Sequence, residues 1–264
     1  MKNNLALLVA ILCLVPLTAW GDGSYRLVDL SHTYDDSTLF WPTSPTRFKK
    51  EELAFGETDG GYFYSAYSIC TPEHGGTHLD APIHFAAGGT TTDQIELERL
   101  IAPGVVIDVS AQSARDRNYR LSLADVEDWE KRNGQIEPGS IVLMRSGWSQ
   151  HWPDAKAYLG DDTPGDASKL SFPGYGAEAT RFLVEQRGVS LLGVDSASID
   201  HGPSKDFMAH RIAAKANVGA LENLTGLEQL PEQGFTIIAL PVKVGGGSGG
   251  PVRVVAMIPQ ERKQ

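Results

Sequence analysis

Cysteine is nearly absent: the 264 residues hold two, Cys13 and Cys70. Cys13 lies in an apolar N-terminal run behind Leu12, a poor context for lipid attachment. Cys70 is therefore expected to be the only cysteine of the mature chain, which excludes an internal disulfide. Long hydrophobic stretches are also scarce. The run from Leu5 to Trp20 follows a single lysine and ends at the small residues Ala19 and Gly21, a secretory signal-peptide pattern, and no second run resembles a membrane span. Residues 1–21 are accordingly read as a cleaved leader and residues 22–264 as one mature domain. The expected location is secreted or periplasmic, with no membrane attachment after cleavage. Basic residues are outnumbered, 23 Lys and Arg against 33 Asp and Glu, for a net charge of −10. Such a surface argues against nucleic acid and anionic membranes as partners and says nothing more about function.

What is present alternates. Short β-branched runs, SYRLVDL, YFYSAYSI, GVVIDV, SIVLM, LLGVDS, FTIIAL and VRVVAM, have the length of strands and are bounded by Pro and Gly. Two helices stand out between them. Ser122 with Asp125 forms a capping-box pattern ahead of LADVEDWEKRN, which stops at Gly134; AEATRFLVEQR starts at Ala177 and stops at Gly188. The pattern predicts an α/β domain with a mixed β-sheet. Residues 147–176, rich in Pro, Gly, Asp and Trp, are too long for a plain connector and read as a lid, a substrate wall or an interface element.

The stretch HGGTHLDAPIHF spends three of the seven histidines within a dozen residues. His74 and His78 sit four apart, but the glycines between them disfavour a helix. On an extended segment His78, Asp80, Pro82 and His84 share one side, and Gly75 with Gly76 lets the chain fold back so that His74 joins them. Imidazole nitrogen with carboxylate oxygen is the ligand set expected for zinc and is compatible with manganese or iron. Tyr62, Phe63, Tyr64 and Tyr67, on the preceding strand, are candidates for aromatic walls of a substrate site or for simple sheet packing. Phe40 and Trp41 are candidates for stacking on an aromatic substrate, with core packing as the alternative.

A second group, Asp195, Asp200, His201, His210 and Glu222, follows the strand LLGVDS. His210 and Glu222 are too far apart for one helical face, and taken alone His210 reads as structural or solvated. His32 reads as structural, and His151 with Trp152 has thin support as site residues. Ser248 in GGSGG fits the G-x-S-x-G pattern of serine hydrolases. No histidine follows it and Pro251 leads into a strand, so a tightly turning glycine loop is the better reading.

HGGTHLDAPIHF resembles the HxGTHxDxPxH signature of the cyclase family of metal-dependent hydrolases, which includes bacterial kynurenine formamidases and isatin hydrolases. FWPTSP, GVDSASID and the pairing of His210 with LENL resemble further family segments in the same order. The resemblance implies His74, His78 and Asp80 as metal ligands and His84 as general base or proton shuttle. It also implies His210 and Glu222 as ligands of a two-metal site, a formamidase-like arrangement, since some isatin hydrolases lack the glutamate and bind one manganese. It further implies one or two divalent ions, Zn or Mn, a swivelling β/β/α-type fold, and assembly as a homodimer or homotetramer. The expected activity is amide or lactam C–N hydrolysis of a small aromatic substrate, arylformamidase-like, with an isatin hydrolase-like or lactone-cleaving activity as the alternative. A secreted metal-binding module without catalysis is the alternative of another class. The leader and the DHGPSKDF segment depart from the cytoplasmic kynurenine enzymes.

Overall fold

The β-branched runs pair mainly into one sheet that closes on itself. The structure, a computed structural model, describes residues 24–260; the leader expected over residues 1–21, with Cys13, lies outside the described residues. In chain order the strands are β1 Tyr25–Asp29, β2 Lys49–Glu57, β3 Phe63–Cys70, β4 His78–Asp80, β5 Ile101–Asp108 and β6 Arg120–Leu121. They continue as β7 Ile141–Arg145, β8 Gly174–Tyr175, β9 Leu191–Val194, β10 Gly219–Glu222, β11 Phe235–Pro241 and β12 Gly249–Pro259. The main sheet runs β1-β12-β11-β5-β7-β9-β10-β4. The start of β12 also pairs with β4, Gly249 opposite Asp80 and Pro251 opposite His78, which closes a seven-stranded mixed barrel with β1 outside it. β5, β7, β9 and β10 run parallel to their neighbours in that order; the remaining pairings of the barrel are antiparallel.

Alternation along each strand separates two cores. Leu79, Val106, Leu143, Leu191, Leu221, Ile237 and Val254, one from each barrel strand, are buried in a single inner cluster. Their neighbours Val105, Ile107, Val142, Met144, Leu192 and Val194 point the other way and meet Val126 and Trp129 of the helix Leu123–Asn133, Leu183, and Ile212 of the helix Met208–Lys215. Each fully buried aliphatic side chain of this kind contributes about 1.5–3 kcal/mol. The sequence Leu-Leu-Gly-Val of β9 is apolar on both faces because both faces are covered; a Cβ on Gly193 would lie 2.5 Å from Leu143 inside the barrel.

The strand runs read from the sequence each overlap an observed strand, and both expected helices start where expected. The second, Ala177–Arg181, continues as a π-turn over Phe182–Gln186. Within residues 147–176, Trp148, Tyr158, Leu159, Leu170 and Phe172 form their own buried cluster with Leu39 and Ala197. Asp195 anchors the start of that segment, accepting from the backbone of Ser146, Gly147 and Trp148 and from the Ser146 hydroxyl. Among the described residues no helix is long and apolar enough to cross a membrane.

The capping box is complete. Ser122 Oγ accepts from Asp125 N at 3.2 Å, and the Asp125 carboxylate accepts from Ser122 N at 2.8 Å. Ser122→Ala should therefore lower the unfolding free energy by about 1 kcal/mol, measured as a shift in urea midpoint at unchanged slope; an unmoved midpoint would show that the cap contributes nothing.

Candidate metal centre

Leu79 points into the barrel, so its neighbours His78 and Asp80 point out of it. β10 lies antiparallel beside them with Glu222 opposite His78 and Ala220 opposite Asp80, which puts Glu222 on the same outer face. The helix Met208–Lys215 covers that face and delivers His210. Ahead of β4, Gly75 (φ 149°) and Gly76 (φ 56°) turn the chain back. The space is glycine-only as well: a Cβ on Gly75 would lie 2.1 Å from Phe40, and one on Gly76 2.6 Å from Tyr34. That turn brings His74 over Asp80.

Three imidazoles and two carboxylates converge. Asp80 Oδ1 lies 2.6 Å from His74 Nδ1 and 3.2 Å from His78 Nε2. Asp80 Oδ2 lies 3.1 Å from His210 Nε2, which is 3.2 Å from Glu222 Oε1. Glu222 Oε2 reaches His78 Nε2 at 3.5 Å. Two donor sets result, His74–His78–Asp80 and Asp80–His210–Glu222, each with its ligand atoms within 4.8 Å of one another, and Asp80 belongs to both. All but His74, which is partly exposed, are buried.

The far nitrogen of each imidazole is also held. His78 Nδ1 lies 3.0 Å from the Gly76 carbonyl, His210 Nδ1 2.7 Å from Asp200, and His74 Nε2 2.9 Å from Ser248 Oγ. Metal-binding histidines are oriented in this way, by a partner on the nitrogen facing away from the ion. Asp200 in turn accepts from the backbone of Ala209 and His210, and Asn223 donates to the Gly76 carbonyl.

The charges favour a cation in the cluster. Burial pushes His78 down, but Asp80 and then Glu222 outweigh it and lift the ring to about 9. His210, likewise opposed by burial, is raised well above its ordinary value by Asp200, Asp80 and Glu222. Asp80 is held well below the usual carboxylate range against its own burial, by His78, His210 and His74. Buried carboxylates require compensating positive charge, and here protons on the imidazoles supply it. A divalent cation would supply the same charge while displacing those protons, so the donor set fits one or two ions.

Extended geometry holds for His78 and Asp80 and then fails. After Ala81 the chain enters a single 3-10 turn, Pro82–His84, because proline cannot donate to a strand ladder and sets φ for a turn. His84 arrives by that turn, its ring stacked on His74 at 3.9 Å. Burial lowers its pKa; Asp80 opposes this, and His74, His210 and His78 push it further down, to about 4. The ring is therefore uncharged at neutral pH.

The cluster opens on a cavity of about 290 Å³, at the small end of the range for ligand sites. Leu39, Phe40, Trp41, Phe85, Leu159 and Phe207 supply its apolar walls, and His74, His78, Asp80, His84, His210 and Glu222 its polar side. A purely structural metal site is closed; this one faces open space.

Phe40 and Trp41 thus reach the cavity, and Tyr64 does not. β2 and β3 pair only with each other, so Tyr64 stands opposite Gly56 on a hairpin outside the barrel, 52% exposed, and Tyr62 and Phe63 are exposed too. The strand reading holds there, and within this chain these aromatic side chains do not line the cavity. His201 lies in a separate cleft with Asp116 and Arg120, and His32 stacks on Trp152 at 4.2 Å, away from the cluster. Of the supporting partners, Asp200 is grouped with His210 in the sequence and Ser248 is read as part of a glycine loop; Asn223 and Glu73, next to Glu222 and His74 in the chain, receive no role there.

Asp200→Asn should weaken divalent-metal binding by about tenfold or more, read by competition with a chromophoric chelator, with the circular dichroism spectrum retained. Wild-type affinity in that variant would mean that His210 needs no support or binds no ion.

Comparison with known proteins gives a consistent picture. A family model described as "Putative cyclase" matches residues 28–201. An isatin hydrolase from Roseibium aggregatum is 34% identical over 212 residues, 77% of this chain and 78% of that protein. A kynurenine formamidase from Salinibacter ruber is 28% identical over 231 residues, 87% of this chain and 96% of that protein. Among solved structures, isatin hydrolase A from Labrenzia aggregata bound to benzyl benzoate superposes with a TM-score of 0.82 at 32% identity, covering 89% of this chain and 94% of that one.

Proposed function

Since the chain belongs to the cyclase family, we propose that it is a metal-dependent hydrolase that opens the C–N bond of an N-aryl amide or lactam with an activated water. The observation that carries the reading is the buried His74–His78–Asp80–His210–Glu222 cluster opening on an aromatic-walled cavity. A divalent cation held there, Zn or Mn, supplies Lewis acidity to a water and to the developing oxyanion.

The chain's own residues do the rest. Asp80 is positioned to share its two oxygens between two ligand sets, which supports two ions. His84, uncharged and beside the cluster, accepts the proton of the attacking water and later returns it to the leaving nitrogen. Phe40, Trp41, Phe85 and Phe207 face a planar aromatic ring and exclude water from it.

Between the two substrate forms we place the cyclic lactam first, because the isatin hydrolases are the more similar relatives, at 34% identity and a TM-score of 0.82. An open-chain formamide is the second reading, and Glu222, within 3.2 Å of His210 and completing a second ligand set, favours it. Export, on the N-terminal pattern, and homo-oligomerisation, on the family likeness, belong to the same proposal.

A panel of isatin, N-formylkynurenine, other N-aryl amides and lactones, assayed with Zn- or Mn-loaded and chelator-treated protein, tests it. Turnover of a lactam or formamide, lost on chelation and restored by metal, is expected; tight metal binding without turnover of any panel member would favour a binding module. His84→Ala should cut kcat by about 10²–10⁴-fold while metal content by elemental analysis stays at the wild-type level. Loss of metal in that variant would make His84 a ligand instead.

A further inference from the structure

Ser248 touches His74 from the side away from the cluster, and the contacts around it fix which way its hydrogen bonds run. Its Oγ lies 2.5 Å from Glu73 Oε2 and 2.9 Å from His74 Nε2, and its backbone N donates to the same Glu73 oxygen at 3.2 Å. The Ser248 hydroxyl donates to Glu73, so its single proton is committed there. Toward His74 the hydroxyl oxygen is then an acceptor, and Nε2 must carry a proton. Nδ1, on the other side of the ring, faces Asp80 Oδ1 at 2.6 Å, toward the ligand cluster.

The loop is built to hold this arrangement. The Ala81 amide donates to the Ser248 carbonyl at 2.9 Å, and Thr92 Oγ1 donates toward the Gly247 and Gly249 carbonyls, at 3.0 and 3.2 Å, on either side of Ser248. Both flanking glycines are sterically required: a Cβ on Gly249 would lie 2.6 Å from the His74 ring, and one on Gly247 2.8 Å from the Glu73 carboxylate. The GGSGG segment is thus fitted around His74 and Glu73.

We propose that Glu73 and Ser248 are positioning residues that set the tautomer and orientation of His74, presenting Nδ1 as the donor to the metal. The proposal rests on the metal-hydrolase reading above. It competes with one other role. The order Ser248 Oγ, His74 Nε2, His74 Nδ1, Asp80 Oδ1 has the connectivity of a serine-hydrolase triad. Two features favour positioning: Ser248 is not among the residues lining the cavity, and its proton goes to Glu73 rather than to histidine.

The test measures Zn affinity by chelator competition, together with urea stability of the metal-free protein, for wild type, Ser248→Ala, Glu73→Ala and Glu73→Gln. Both alanine variants are expected to bind Zn about ten- to hundredfold more weakly, with metal-free stability close to wild type and turnover recovering as Zn is raised. Glu73→Gln, whose amide oxygen still accepts from Ser248, should lose less. Unchanged affinity in both alanine variants overturns the proposal; if Ser248→Ala also loses all turnover at full metal occupancy, the hydroxyl is a nucleophile. Reduced metal-free stability with wild-type affinity likewise overturns it in favour of a structural role. A wild-type protein that binds no Zn or Mn would sink the metal-hydrolase reading itself, an outcome distinct from these.

Discussion

Two buried carboxylates among three imidazoles are the constraint on which the site depends. Asp80 and Glu222 sit almost out of contact with water on the outer face of a barrel, where an uncompensated charge costs several kcal/mol. The surrounding structure answers that cost with directed partners rather than with solvent: His210 bridges Asp200, Asp80 and Glu222, and His78 bridges Asp80, Glu222 and the Gly76 carbonyl. A divalent cation would satisfy the same need with fewer groups and without protonated rings. Orientation of each ring by an outer partner restricts which nitrogen faces inward, and that restriction separates a ligand set from a chance meeting of histidines.

Barrel closure makes the arrangement possible. β4 is three residues long and by itself would be a weak strand, yet it is clamped between β10 and the first residues of β12. The clamp fixes the pleat, the pleat sends Leu79 inward, and His78 and Asp80 therefore go outward together. The same closure carries Ser248, which immediately precedes β12, against His74. A one-residue slip of β4 would invert all three side chains. The inner cluster around Leu79 and Leu221 opposes such a slip, so the hydrophobic interior holds the register of the polar site outside it.

How much of this was legible in the sequence follows from how local each cause is. Gly75 and Gly76 announce a turn, alternation announces His78 and Asp80 on one side, and both survive in the structure because they depend only on the backbone of six or seven residues. His84 was drawn into the same alternation wrongly, since Pro82 breaks the ladder and the ring returns by a 3-10 turn instead. His210 and Glu222 were recoverable only through family resemblance, because the parallel placement of β10 beside β9 brings them together and no spacing encodes it. β2, with the charged sequence KKEELAFGE, went unread as a strand because neither face is buried and no alternation was imposed on it. Tyr64 lies on the same free hairpin, opposite Gly56, because a strand pattern states that a side chain alternates but not what lies opposite it.

The cavity walls carry a further constraint. Phe207 has φ 49°, a left-handed conformation that a bulky aromatic adopts at a cost of about 1–3 kcal/mol. It immediately precedes the helix that delivers His210, and its ring lies 5.5 Å from Phe85 and 6.5 Å from Trp41. Phe85 in turn stacks on His210 at 4.4 Å. The strained residue therefore joins two functions, starting the helix in a direction that places His210 under Asp80 and turning an aromatic face toward the space where a substrate ring would sit. A residue tolerant of positive φ, such as glycine or asparagine, would satisfy the backbone there but supply no wall. That an aromatic stands at the position despite its conformational cost ties the shape of the cavity to the geometry of the ligand cluster, so that neither is free to vary alone.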